Sequence, residues 1–297
     1  MARPGTKLAG FTVLAEIGQG AASRIYLAQD PKTKQVWALK HVEKHNPKDQ
    51  RFLDQAMNEY EVASRVESDF VRQISRVIKA RAGLLQIKEL FLVMEYVDGA
   101  PLEYHLPATF EEALSVFVQT ARGLAAIHKA GFVHADMKPS NIVVSEQRRV
   151  KVIDLGQACP VGTVKERIQG TPDYIAPEQV HRREITEQTD VYNFGATMYW
   201  TLTQRNIPTA LGDAESLVQS LDDTFIEPPT PVHELNPRCP GALSELISHC
   251  VQVRVEERPP GAMLEVHERL KGIRAEMTNR SPSSAGIAAP SRSEADA

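Results

Sequence analysis

The run Val133-His134-Ala135-Asp136-Met137-Lys138-Pro139-Ser140-Asn141 is followed thirteen residues later by Asp154-Leu155-Gly156. A carboxylate at 136 can accept the proton of a hydroxyl nucleophile, and an ammonium at 138 can offset the charge of a phosphoryl group in transfer. The amide oxygen of Asn141 and the carboxylate of Asp154 are hard donors that suit six-coordinate magnesium. This spacing points to phosphoryl transfer onto a hydroxyl, with Asp136 and Lys138 as the catalytic pair and Asn141 and Asp154 as metal ligands. His134 reads as a packing and hydrogen-bonding residue rather than an acid or base.

Such side chains need elements to hold them. Apolar runs from Phe11 to Ile17, Arg24 to Gln29 and Val36 to His41 alternate with the breakers Gly18-Gln19-Gly20 and Asp30-Pro31-Lys32-Thr33, which predicts a small antiparallel sheet. A helical stretch follows, with Leu53, Ala56, Met57, Tyr60, Ala63 and Ser64 on one face and Glu59 at its edge. Phe70 to Ile78 and Leu90 to Tyr96 read as further strands, and Val97-Asp98-Gly99-Ala100-Pro101 as a linker. Beyond it, Thr109 and Glu112 form a capping-box pattern before apolar residues that recur through Ile127, with Gly131 just past the helix end. The remainder is mostly helical, and strand-like Val150 to Ile153 delivers Asp154. From about residue 275 the chain turns rich in Ser, Ala and Pro, so 275–297 is expected to be a disordered tail, unable to bury enough apolar area to offset its ordering entropy.

Bulk properties narrow the classes. The 297 residues carry a net charge of −4 and 42% hydrophobic residues, ordinary for a globular protein, with no basic excess of the kind a nucleic-acid partner calls for. Three cysteines, Cys159, Cys239 and Cys250, show no C-x-x-C spacing, against a disulfide framework or zinc site. Met1 to Lys7 lacks a long apolar core, and no stretch approaches the roughly 18 uncharged apolar residues of a membrane span. The expectation is a cytoplasmic protein without a membrane span; oligomeric state leaves no signal in the sequence.

Taken together, the motifs resemble those of eukaryotic-like (Hanks-type) protein serine/threonine kinases over about residues 8–273. The resemblance implies an α+β, two-lobed fold: a small antiparallel N-lobe sheet with one main helix (about 8–96) and a larger, mostly helical C-lobe (about 101–273). Gly18-Gln19-Gly20-Ala21-Ala22-Ser23 lies between two predicted strands, which suits a hairpin lid over nucleotide phosphates. Ser23 stands where the family has a third glycine, and Ala22 where an aromatic tip is frequent. Trp37-Ala38-Leu39-Lys40 is similar to the family's Val-Ala-Ile-Lys, and a lysine inside an apolar strand calls for an anionic partner. The resemblance pairs Lys40 with a helix glutamate; Glu59 is preferred to Glu61, which lies farther from the apolar stripe. Phe91 to Val97 resembles the strand and hinge that hold adenine, with Met94 limiting pocket depth and backbone groups of Glu95 and Val97 meeting the base. The residues alone fit a buried strand and linker equally well. The implied ATP contacts are thus Ile17, Gly18, Gln19, Gly20, Ser23, Ile25, Ala38, Lys40, Glu59, Met94, Glu95 and Val97, with magnesium on Asn141 and Asp154.

Gly170-Thr171-Pro172-Asp173-Tyr174-Ile175-Ala176-Pro177-Glu178 resembles the end of a kinase activation segment. The resemblance gives Glu178 a buried ion pair with Arg258 and gives Asp190 the bracing of the catalytic loop. Lys138 with Thr171 is the serine/threonine pattern, implying protein substrates with Ser/Thr acceptors. Ala135 departs from the family's His-Arg-Asp. With no arginine for a loop phosphate to neutralise, activity is expected not to require activation-loop phosphorylation, with Thr163 and Thr171 as the candidate phosphate acceptors. The alternatives are a nucleotide-binding pseudokinase scaffold, favoured by the irregular lid and Ala135, and a small-molecule phosphotransferase, against which the Thr171 to Glu178 segment counts.

Overall fold

The computed structural model describes residues 2–20, 22–82, 86–210 and 226–280; Ala21 of the predicted lid and residues 281–297 of the predicted tail lie outside them. The chain divides into two compact units, Met1–Asp98 with Ile153–Ala158, and Gly99–Val152 with Cys159–Ala297.

The first unit is a six-stranded sheet, with β1 Lys7–Leu8, β2 Phe11–Gln19, β3 Ser23–Gln29, β4 Val36–Glu43, β5 Ile74–Ala82 and β6 Gln86–Glu95 in the order β1-β2-β3-β4-β6-β5. Its pairings are antiparallel. One face closes over Phe11, Val13, Tyr26, Ala28, Leu39, Phe91 and Val93. Helix α1, Gln50–Ala63, packs against β4, β5 and β6. Its buried stripe is Leu53, Ala56, Glu59, Val62 and Ala63, so it is rotated from the expected face: Met57 and Tyr60 are half-buried and Ser64 is exposed. The sequence expectation put Glu59 at the edge because carboxylates avoid cores, but partners on β4 and in the following loop make its burial tolerable. The strand expected from Phe70 begins only at Ile74. Ahead of it the loop is held by Gln73, whose side-chain amide donates to the carbonyls of Ser68 and Val71, each at 3.3 Å.

In the second unit the expected linker at 97–101 instead contains β7, Gly99–Pro101, which pairs with β9, Ile142–Ser145; β10, Val150–Val152, completes that sheet. Short pairs join β8, Phe132–Val133, to β11, Cys159–Pro160, and β12, Thr163–Val164, to β13, Glu184–Ile185. The helices are α2 Phe110–Lys129, α3 Pro177–Val180, α4 Glu187–Thr203, α5 Val232–Leu235, α6 Gly241–Cys250 and α7 Ala262–Arg280. Thr109 caps α2 by accepting from the Glu112 N–H, but the Glu112 carboxylate takes the Ala108 N–H at 2.8 Å in place of Thr109's. Gly131, beyond the helix end, has φ 84°, the left-handed conformation glycine adopts freely. Helix α4 is buried on almost every side. Its buried Thr197, Thr201 and Thr203 hydroxyls are satisfied on the carbonyls four residues back. Gly195 permits the approach of α6, since a Cβ there would meet Cys250 Cβ at 2.7 Å. Helix α7 packs against α2 and α4 and extends through Arg280, past the expected tail boundary at 275, although its last buried residue is Ile273. No helix among the described residues is long and apolar enough to cross a membrane.

Candidate active site

In the first unit, β4 places Lys40 so that its Nζ donates to Glu59 Oε2 at 2.6 Å. Glu59 is 1% exposed, and its other oxygen lies 3.4 Å from Arg72 Nη2. Glu61 instead points outward and pairs with Arg65 at 2.6 Å. Asp154 Oδ1 sits 3.8 Å from Lys40 Nζ. Burial is the largest influence on Lys40 and works to lower its pKa, yet the charges of Glu59 and Asp154 outweigh it and leave the ammonium held above its ordinary range. Asp154 itself adopts φ 64°, N-capping a 3-10 turn, Leu155–Gln157, and accepting from the Gly156 N–H. That turn is tied to α1 by Asn58, which donates to the Ala158 carbonyl at 2.8 Å.

The predicted lid is the β2–β3 hairpin, in which Gly18 faces Ile25 and Gln19 faces Arg24, closed by the Gly20 N–H donating to Ser23 O at 2.8 Å. Ile17 is 47% exposed, a large apolar side chain left to the solvent side of the sheet. Ala38 and Met94 are buried opposite each other on β4 and β6. At the end of β6, Glu95 donates its N–H to Gln73 O at 2.9 Å, and beyond it Val97 is half-buried.

In the second unit, the loop after β8 carries Asp136 and Lys138, and a 3-10 turn, Pro139–Asn141, follows. The Thr171 hydroxyl donates to Asp136 Oδ1 at 2.8 Å and accepts from Lys138 Nζ at 2.7 Å, while Lys138 Nζ lies 3.3 Å from Asp136 Oδ2. The side-chain N–H of Asn141 donates to the Asp136 carbonyl at 2.8 Å, which fixes the orientation of its amide. The Thr171 hydroxyl is therefore engaged by both Asp136 and Lys138, which leaves it poorly placed as a phosphate acceptor in this arrangement; Thr163 lies apart, on β12.

This loop is braced from α4. Asp190 accepts the N–H groups of His134 and Ala135, each at 2.8 Å, and lies 2.8 Å from His128 Nε2. Burial pushes the Asp190 carboxyl upward most strongly, but the hydrogen bond and charge of His128, then His134, hold it below the usual carboxylate range. His134 is buried and its Nδ1 faces the Asp136 N–H at 3.3 Å, a hydrogen-bonding role as expected. Ala135 is fully buried with φ 61°, and its methyl packs with Val133, Cys159 and Ile185. Lys165, on the segment that follows, has its pKa lowered by burial, opposed by Cys159, Asp136 and Asp190.

Glu178 and Arg258 meet as two parallel hydrogen bonds of 2.7 and 2.9 Å. Arg258 also donates to the carbonyls of Gln188, Gln252 and Val253 and lies over the Tyr192 ring. The sequence reasoning missed Arg72, His128 and Gln179. None stands in a spacing that announces it; each is recruited by a contact across the fold.

Asn141 in the second unit and Asp154 in the first each offer an oxygen of the hard kind that suits magnesium, and among the described residues no group of three or more His, Cys, Asp or Glu could hold a metal alone. All three cysteines are free and buried.

Comparison with known proteins agrees with these motifs. The protein kinase domain family matches residues 11–269. A serine/threonine-protein kinase of Corynebacterium efficiens is 28% identical over 285 residues, covering 92% of this chain and 52% of that protein. The serine/threonine-protein kinase PknA of Corynebacterium glutamicum is 32% identical over 201 residues, 64% of this chain and 42% of that protein. The chain spans about half of the length of these curated relatives.

Proposed function

Because the chain belongs to the protein kinase domain family, we propose that it transfers the γ-phosphoryl group of ATP to serine or threonine hydroxyls of protein substrates, with magnesium. One observation carries this reading: an aliphatic hydroxyl, that of Thr171, lies 2.8 Å from the Asp136 carboxylate and 2.7 Å from the Lys138 ammonium. Through that oxygen Thr171 ties together a carboxylate able to take a hydroxyl proton and a cation able to offset phosphoryl charge, which supports a shared role for the two.

Asp136 orients the acceptor hydroxyl and takes its proton as the new bond to phosphorus forms. Lys138 offsets the charge on the transferring oxygens. Lys40, held by Glu59, contacts the α- and β-phosphates, and the backbone of the Gly18 to Ser23 hairpin covers them, with Ile17 and Ile25 flanking the nucleotide. Ala38, Met94, Glu95 and Val97 hold adenine. Asn141 and Asp154 would ligate magnesium, which would neutralise phosphate charge. Ala135 offers no cation for a loop phosphate, so we propose that activity does not depend on loop phosphorylation.

The test is transfer of labelled phosphate from ATP with magnesium to a generic protein substrate, beside Asp136→Asn. A loss of about 10²–10⁴-fold in kcat is expected, with label on Ser and Thr. Equal labelling by both proteins overturns the reading.

A further inference from the structure

Gln179 follows the Glu178 of the buried ion pair and is 3% exposed. Its side-chain N–H₂ donates to the Ala135 carbonyl at 2.8 Å and to the Gln169 carbonyl at 3.1 Å. Its Oε1 accepts from the Ala176 N–H and from Asn193 Nδ2, each at 3.0 Å. One buried amide thus joins four chain segments.

The two carbonyls it holds are functionally placed. Ala135 immediately precedes Asp136, in a left-handed backbone conformation that a residue with a Cβ adopts at a cost of roughly 1–2 kcal/mol. Gln169 stands two residues before Thr171, whose hydroxyl bridges Asp136 and Lys138. Asn193, on buried helix α4, donates both to Gln179 and to the Tyr174 carbonyl at 2.6 Å, leaving its own Oδ1 without a hydrogen-bond partner among the described residues. Rotating that amide by half a turn would set its oxygen against two acceptors, so the orphaned oxygen follows from aiming both donors at the network.

We propose that Gln179 is a positioning residue: its amide clamps the activation segment to the catalytic loop, holding Thr171 against Asp136 without a phosphate. The inference rests on the kinase reading. Where relatives with arginine at position 135 can order this segment through a charged phosphate contact, a neutral amide serves here, because both groups it must hold are neutral carbonyls in a dry site. A carboxylate of the same shape would repel them.

The test uses the full chain, treated with phosphatase and shown by intact mass to carry no phosphate, as wild type, Gln179→Glu and Gln179→Met. Gln179→Glu keeps the acceptor half and loses the donors; Gln179→Met loses both. For Gln179→Glu, kcat for a protein substrate falls about tenfold and KM for ATP stays within about twofold. Amide exchange quickens over 166–171 while α2 and α4 keep wild-type protection; Gln179→Met moves in the same direction and further. Wild-type kcat and exchange in both variants overturn the proposal, as does protection lost throughout α2 and α4, which marks a merely structural role. A dephosphorylated wild type that is inactive until its loop is phosphorylated also overturns it. Should the wild type transfer no phosphate at all, the kinase reading fails, and exchange over 166–171 still decides whether the clamp exists.

Discussion

Two carboxylate–cation pairs, one in each unit, use the same chemistry to opposite ends. Glu178 and Arg258 form a closed system: the guanidinium is bidentate on the carboxylate, its remaining donors reach three carbonyls, and Thr189 donates to Glu178 Oε1 at 2.9 Å. Nothing is left over for a ligand. Lys40 and Glu59 form an open one. Glu59 is shared with Arg72, and the Lys40 ammonium, with a single short bond of 2.6 Å, still has Asp154 at 3.8 Å and donor capacity to spare. A saturated pair builds structure, whereas an unsaturated one can accept phosphate. The lysine's compact, rotatable ammonium suits the second task and the planar fork of arginine the first.

This contrast breaks most visibly at Arg258. Arg258→Met strands Glu178 in a site 3% exposed, and a loss of about 3–5 kcal/mol is expected, lowering Tm by roughly 10 °C in thermal unfolding. Lys40→Met has the complementary profile: kcat/KM falls about 10²–10³-fold, with stability reduced by less than about 2 kcal/mol because Arg72 remains on Glu59. Equal stability losses in the two variants, measured by denaturant unfolding, would erase the distinction.

Ala135 extends the comparison to a position where charge is omitted. Its methyl is buried among Val133, Cys159 and Ile185, so Ala135→Arg forces a long cation into a filled apolar cluster. It is expected to cost about 1–3 kcal/mol and to lower activity rather than restore a phosphate switch. The smallest effect is Ala135→Gly. Relief of the left-handed strain is offset by the greater freedom of glycine in the unfolded chain, giving a net gain of no more than about 1 kcal/mol by denaturant unfolding.

The strands of the sheet, α1 and α2 were legible because period and punctuation are local. Their errors have non-local causes. The buried stripe of α1 turned toward Glu59 because two cations cover it, and residues 99–101 became a strand because β9 offers an edge. At the site, Asp136, Lys138, Asn141 and Asp154 stood out because side-chain type at short spacing already states a chemistry. Arg72, His128 and Gln179 did not, since an arginine, a histidine and a glutamine carry no message until something faces them.

The amino-acid sequence by itself determined which atoms could do chemistry here: a carboxylate at 136, two ammonium groups, the oxygens of Asn141 and Asp154, and an uncharged alanine at 135. Those are properties of side chains, present in any conformation. Only the tertiary structure decided which glutamate Lys40 takes, that Thr171 sits on Asp136, and that a neutral amide reaches the carbonyl of Ala135. Each depends on a distance between residues far apart along the chain, and only folding sets such distances.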